Sequence, residues 1–304
     1  MFAESPVTSH ESQSRMEKMH SRELGLVLAQ QLGNVEDLHY GLWDPDLELS
    51  FSNVRVAQQR YSDLILSQLP PSNGNVRVLD VGCGTGHLIC QMLERGYQAD
   101  GVIPAKDLGA LVRKRIGVTQ GYVPQIFECK FEDFRVESGR GQYDVVLFSE
   151  SFQYIKPSDS LPLVQRLLKP GGLLVICDFF KTAAHGDGGP GDKSFGGGHP
   201  QRDFLETMSR FPFRLMKDED LTKRVSPNLQ LLNAWLMNRA KPAGQTIHRY
   251  ISTNYPLSTR LLMWVFRKKL RKLQYKYFSG YRSRETFERY KTYHLMVYRL
   301  TADQ

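Results

Sequence analysis

The chain contains no run approaching the roughly 20 consecutive apolar residues that a membrane-spanning helix requires, so no helical span is expected. Its first twenty residues are polar, with Glu, Ser and His scattered among the methionines, and lack the apolar stretch of a secretory signal. Cysteine is sparse. Cys83, Cys90, Cys129 and Cys177 fall at no metal-ligand spacing, so no metal is expected, and each reads as a core or turn residue in a reducing cytoplasm. No RNA-binding module or metal knuckle is recognisable, which makes nucleic acid an unlikely partner. Carboxylates are scarce towards one end. Between Arg260 and Arg299 only Glu285 and Glu288 oppose twelve basic residues, while the whole chain of 304 residues carries a net charge of +8. With 41% apolar and 24% charged residues, the composition is that of a globular protein with ample length for a core.

The chain is organised around residues 76–86, Val-Arg-Val-Leu-Asp-Val-Gly-Cys-Gly-Thr-Gly. An apolar run ending in Asp80 reads as a buried strand. Gly82, Gly84 and Gly86 follow at every second position, so the backbone can bend sharply and approach a ligand closely, and a helix begins near His87. A dinucleotide fingerprint needs G-x-G-x-x-G, but His87 stands where that pattern wants glycine. A carboxylate at Asp80 would repel a pyrophosphate and suit a ligand carrying an ammonium and a sulfonium.

The arrangement D-x-G-x-G-x-G resembles motif I of the class I S-adenosylmethionine-dependent methyltransferases. Lys169-Pro170-Gly171-Gly172, at the distance where that family places the turn before strand five, extends the likeness. The resemblance implies an α/β, Rossmann-like sheet of seven mostly parallel strands with an antiparallel last strand. It implies S-adenosylmethionine as cofactor, bound through Asp80, Gly82, Cys83, Gly84 and Gly86. Expected domains are a mobile tail (1–20), an N-terminal helical cap (21–70) and a methyltransferase domain (71–304) with a helical insertion at about 226–280 that caps a hydrophobic substrate pocket.

Where most of the family closes strand two with a ribose-binding acid, this chain has Ile103, as sterol and cyclopropane-fatty-acid methyltransferases also lack that acid. Asp107 is an alternative ribose ligand. Lys130 replaces the usual adenine-binding Asp, so Phe131 is assigned to the adenine face and Glu132 or Asp133 to its amino group. After strand four comes Phe148-Ser149-Glu150-Ser151-Phe152-Gln153-Tyr154, where α/β sheets gather ligands. Ser149 is placed with the donor. Glu150 falls on the glutamate that the carbon-methylating relatives carry beside the transferred methyl, and Tyr154 stands near their histidine. N-P-P-Y, the mark of base-methylating enzymes, is absent there.

An H-Y-G-x-W-like segment in front of motif I closes over the donor in several small-molecule methyltransferases, so Tyr40 and Trp43, with Phe152, are assigned to the substrate. Residues 182–200 are glycine-rich and read as a substrate lid. Within it His199 is a candidate general base and His185 a substrate contact. Glu150, His199 and Tyr154 are thus the catalytic candidates. The expected reaction is methyl transfer to a small, lipophilic acceptor at carbon or oxygen. The alternative is a non-catalytic S-adenosylmethionine-binding partner at a membrane. Residues 260–291 are assigned to an anionic membrane or an acidic carrier protein, with 267–276 as a helix bearing an apolar stripe. The expected location is cytoplasmic, peripheral at the inner membrane face if that segment binds lipid.

Overall fold

The computed structural model describes residues 37, 39–117, 121–135 and 141–301. The chain divides into two units, Met1–Val35 and Glu36–Gln304. The first lies outside the described residues, and with it the tail expected at 1–20 and the opening part of the cap expected at 21–70.

In chain order the second unit runs α1 (Val54–Leu66), β1 (Arg77–Val81), α2 (His87–Glu94), β2 (Gln98–Val102), α3 (Lys106–Ile116), β3 (Ile126–Phe127), β4 (Tyr143–Ser149), α4 (Pro157–Leu167) and β5 (Leu168–Lys181). It continues with α5 (Gln201–Met208), β6 (Phe213–Asp220), α6 (Thr222–Val225), α7 (Pro227–Trp235), α8 (Lys241–Asn254), α9 (Pro256–Phe278), α10 (Arg284–Tyr290) and β7 (Lys291–Leu300). The sheet order is β3-β2-β1-β4-β5-β7-β6, with β7 antiparallel to both of its neighbours and the other pairs parallel. This is the Rossmann-like seven-stranded sheet that the sequence implied.

Near-continuous apolar strands are the signature of a sheet covered on both faces, and successive side chains divide between two cores. Val78, Val145, Val175 and Leu295 face one layer, built with Tyr61 and Ile65 of α1; Leu79, Val146, Leu174 and Met296 face the other, built with α4 and α5. Helix α1, expected within a separate cap, therefore shares a core with the strands. Lys169–Gly172 does not interrupt β5. The ladder passes from Tyr143 opposite Leu168 to Val145 opposite Leu173, and the intervening residues bulge out with Gly171 at a left-handed φ of 77°.

The helical insertion between β6 and β7, expected to cap a hydrophobic substrate pocket, is buried only in its first part. Leu229 of α7 and Leu236 after it are buried, but α8 buries no residue and α9 only Thr259. The two helices form an antiparallel hairpin. Lys241 Nζ, at the start of α8, donates to the Phe278 carbonyl at the end of α9 (3.4 Å), and Thr259 Oγ1 donates to the Ile251 carbonyl beside the turn (3.3 Å).

Candidate active site

The turn after β1 has the geometry of a ligand cradle. Gly82, Gly84 and Gly86 adopt left-handed φ values of 80°, 54° and 79°. A Cβ on Gly82 would lie 2.4 Å from that of Ser151, whose hydroxyl donates to the Val81 carbonyl. A Cβ on Gly86 would lie 2.8 Å from Val112 of α3. Glycine is thus required by both backbone and space. Asp80, two residues before the first glycine, is 2% exposed, and its Oδ1 has no hydrogen-bond partner among the described residues. Burial raises its carboxyl to about 7. A buried oxygen without a donor is costly, and a ligand ammonium would supply one. Cys83 is buried beside it, its thiol pushed well above the usual range by desolvation and then by the Asp80 charge.

Around this turn the other donor candidates divide. Ile103 is buried, its amide donating to the Phe127 carbonyl (2.9 Å), and its side chain has no polar atom for a ribose. Asp100, the acid within β2, is no substitute, because Arg77, Tyr122 and Tyr143 hold its carboxylate at 2.6–3.0 Å. Asp107 is exposed on the first turn of α3. Phe131, assigned to the adenine face, is a core ring in this structure. It is 3% exposed, meeting Phe148 edge-on at 5.3 Å and Phe134 at 6.3 Å, so its ring is spent on the core under β1 and β4. Glu132 and Asp133 remain exposed beside it.

Glu150 is the centre of the second half. Among the described residues it is the one non-glycine with a left-handed φ, 54°, a conformation costing roughly 1–2 kcal/mol. The contacts that hold it there are its amide to the Cys177 carbonyl (2.9 Å), and Oε1 accepting from the Tyr40 amide (2.7 Å) and the Tyr293 hydroxyl (2.9 Å). The Tyr293 oxygen also lies 3.0 Å from the Tyr61 hydroxyl, which is in turn 3.0 Å from that of Ser149. Ser149 is therefore tied to α1. Desolvation lifts Glu150 to about 8 against those two hydrogen bonds, and the neighbouring Asp178 adds to the rise. Asp178 is itself buried and raised to about 7, with the Gln153 and Phe179 amides bonded to it at 2.9 and 2.8 Å.

The rings assigned to the substrate fare unequally. Tyr40 is half-buried, with its ring 6.3 Å from those of Phe287 and Tyr293, and burial raises its hydroxyl to about 12. Trp43 is instead a strut, since its indole N–H donates to Asn228 Oδ1 (3.0 Å) at the base of α7 and its ring is 6% exposed. Phe152 is fully buried among Phe148, Phe204 and His199 and presents no face to a ligand. Tyr154 is 54% exposed.

His199 is half-buried, and its Nε2 lies 3.0 Å from the Phe152 carbonyl, which places the proton on Nε2 and leaves Nδ1 as the basic atom. It makes no hydrogen bond with Glu150 or Tyr40. His185 pairs with Asp192 inside its own loop (3.2 Å); burial, with the charges of Lys291 and Lys181, lowers its affinity for a proton. The glycine-rich segment is fastened down. Asp187 pairs with Arg289 (2.7 Å), and Lys291 Nζ donates to the Gly197 carbonyl (2.6 Å).

Two residues were hidden from the sequence reading inside the basic count. Lys291, at the start of β7, is fully buried 5.2 Å from the Phe179 ring, and desolvation lowers it to about 8. Arg282 lies over Phe195 and Tyr277 (5.3 and 5.0 Å), with Nε and Nη1 buried and unpartnered among the described residues. Phe195 meets Phe287 at 5.4 Å, so a row of rings leads from Arg282 to Tyr40 and Glu150. A polar groove of 510 Å³ along α1 and α2, lined by Gln59, His87, Gln91 and Arg115 among others, shares no residue with this cluster.

A family model described as a methyltransferase domain matches residues 54–254. The chain belongs to that family. It is 30% identical to an uncharacterized methyltransferase of Mycobacterium tuberculosis over 133 residues, 42% of this chain and 51% of that protein. It is also 30% identical to a ubiquinone biosynthesis O-methyltransferase of Shewanella halifaxensis over 158 residues, 50% of this chain and 61% of the other. The chain thus spans about half the length of the first of these curated relatives. Among solved structures, the geranyl diphosphate C-methyltransferase of Streptomyces coelicolor, in complex with S-adenosyl-L-homocysteine, superposes with a TM-score of 0.61 at 16% identity, covering 90% of this chain and 92% of that one. The cyclopropane synthase MmaA2 of Mycobacterium tuberculosis gives 0.61 at 15%, covering 86% and 89%. The [4+2]-cyclase SpnF gives 0.62 at 19%, covering 92% and 93%. At these identities the likeness is one of fold.

Proposed function

We propose that this chain transfers the methyl group of S-adenosylmethionine to a small, lipophilic acceptor held between the glycine cradle and Glu150. The observation that carries the reading is the pair of prepared acids in a methyltransferase-family fold: Asp80 buried with an unpartnered oxygen at the cradle, and Glu150 held in a left-handed conformation across the sheet edge. The bound donor supplies a sulfonium-activated methyl. The protein's part is to position the acceptor in line and exclude water. Asp80 takes the donor's ammonium. The exposed carboxylates Glu132 and Asp133 are placed for the adenine amino group. Glu150, once ionised, either accepts the proton of a hydroxyl acceptor or stabilises positive charge developing on a carbon acceptor, with the Tyr40 ring beside it. Arg282, at the far end of the rings, is placed for an oxygen of the acceptor.

A competing reading is a donor-binding chain that does not turn over at a membrane; the named cyclase among its structural neighbours keeps chemistry other than methyl transfer in view. Calorimetry with S-adenosylmethionine and S-adenosylhomocysteine, combined with labelled-methyl incorporation into lipid extracts, separates the two. Donor binding without transfer to any extract refutes the enzymatic reading. The four unpaired cysteines fit a cytoplasmic setting. Among the described residues no helix is long and apolar enough to cross a membrane. Residues 260–291 are read as the part that meets an anionic membrane or an acidic carrier protein.

A further inference from the structure

The hairpin of α8 and α9 is segregated along its length. Its turn is at Tyr255, and the ten residues that follow are mostly apolar, with 261–266 all exposed although every one of them is apolar. Six consecutive positions cover the whole circumference of a helix, so this is no stripe awaiting a flat partner. Leu257 is 78% exposed, Trp264 65% and, across the turn, Tyr250 65%. Immediately beyond come Arg267, Lys268, Lys269, Arg271, Lys272 and Lys276, all on the half of α9 nearer the fold. The sequence had suggested a sideways amphipathic helix. The hairpin instead has an apolar tip and a cationic collar.

The charge has a wider frame. Between Asp220 and Glu285 lie 64 residues without one Asp or Glu and with 14 Lys or Arg, while the rest of the chain carries a net −6. A surface that shed every carboxylate while keeping so many cations selects a polyanionic partner. A partner that also takes up exposed Leu, Trp and Tyr around a full helix must have an apolar interior behind its anionic face. An anionic lipid bilayer has that layering.

We infer that this hairpin docks tip-first into an anionic lipid surface. Residues 257–266 rise about 15 Å along the helix, which is close to the hydrocarbon depth of one leaflet. The collar then lies at the level of the lipid phosphates, where Lys and Arg gain most. Arg249 and Arg260, within the tip, reach back to the headgroups along their aliphatic stems. The far end of α9 contacts the short helix Asp192–Ser194, in the segment that carries Phe195, and leads directly to Arg282. The docked hairpin therefore holds the mouth of the proposed acceptor site near the membrane. The inference rests on the proposed function only for that last step.

The test uses the full chain with vesicles of phosphatidylcholine alone and of phosphatidylcholine with about one third phosphatidylglycerol. Flotation is expected with the anionic vesicles only and is expected to disappear at high salt. The triple variant Lys268→Glu, Lys269→Glu, Lys272→Glu should lower partitioning at least a hundredfold, at about fivefold for each basic charge lost. Leu261→Ser with Trp264→Ser should abolish it, and lipids brominated in mid-chain should quench a fluorescence component that Trp264→Phe removes. Equal binding to both vesicle types, or no binding to either, overturns the proposal. So does a self-association that Leu261→Ser with Trp264→Ser dissolves, because a second copy then covers the tip. Donor calorimetry on the same variants keeps the two readings apart. Unchanged donor binding with lost flotation supports the hairpin, and flotation by a wild type that binds no donor refutes only the methyltransferase reading.

Discussion

Two carboxyl groups sit at the heart of the site with proton affinities far from their ordinary values, and each sets a measurable pH dependence. Asp80, raised to about 7 by burial, gains a cationic neighbour when the donor binds, so it must ionise. Donor titrations near neutral pH, repeated in buffers of different ionisation enthalpy, should show up to about one proton released, and affinity should rise with pH towards 7. Asp80→Ala should weaken donor binding by at least about tenfold, the worth of one charge-assisted hydrogen bond. Normal binding by that variant would remove the cradle from the argument. Glu150, raised to about 8, must be ionised to act, so kcat/KM should climb through pH 6–8. Glu150→Gln keeps an acceptor for Tyr40 and Tyr293 but should cost about 10²- to 10⁴-fold in kcat and abolish that climb. The stability effect has the opposite sign. Glu150 binds a proton in the folded state at pH values where the unfolded chain has lost it, so its contribution falls as pH rises from about 4.5 to 8. The difference between wild type and Glu150→Gln in thermal unfolding should therefore widen in favour of the variant over that window.

Strands and turns decide which of these residues meet. The β1 turn must bend inside the space left by Ser151, and Gly82→Ala is expected to lose at least about 2 kcal/mol from left-handed strain and the clash with Ser151. Urea unfolding measures that loss, and a variant as stable as wild type would show that the turn has room. Local pattern made these elements legible. The apolar run before Asp80, the glycine spacing and the helix beginning near His87 each reflect backbone preferences confined to a few neighbouring residues. What side chains do at the ends of elements was far less legible. Phe131, Phe152 and Trp43 are aromatic residues at ligand-bearing positions, yet all three face inward. A one-dimensional reading has no means of telling a ring that lines a site from one that supports it, because both show the same local sequence pattern. Lys291 shows the reverse. It falls in the basic stretch 260–291 assigned to an anionic partner but is itself buried, because β7 enters the sheet between β5 and β6.

Across the whole molecule the chief contrast is between the sheet, whose central strands are buried on both faces, and the hairpin, which buries Thr259 alone. Such an element adds little to stability. Because the Lys241 side chain reaches the Phe278 carbonyl (Nζ to O 3.4 Å), the two ends of the hairpin are close, and replacing the residues between them with a flexible linker should leave the fold intact and shift Tm by no more than a few degrees. A large loss of Tm would mean that the hairpin supports the core, and donor affinity in the same variant should be unchanged. By itself the sequence determined the glycine turn at 82–86 and the lopsided charge, which are written in spacing and composition, and through the resemblance carried by its motifs it implied the α/β order and the antiparallel last strand. Tertiary structure alone decided that Tyr40 and Tyr293 close on Glu150, that Trp43 braces α7, and that the basic segment ends in an apolar tip. Those outcomes depend on chain crossings that bring residues more than a hundred positions apart into contact, and on which surfaces are left uncovered once the sheet has taken its helices.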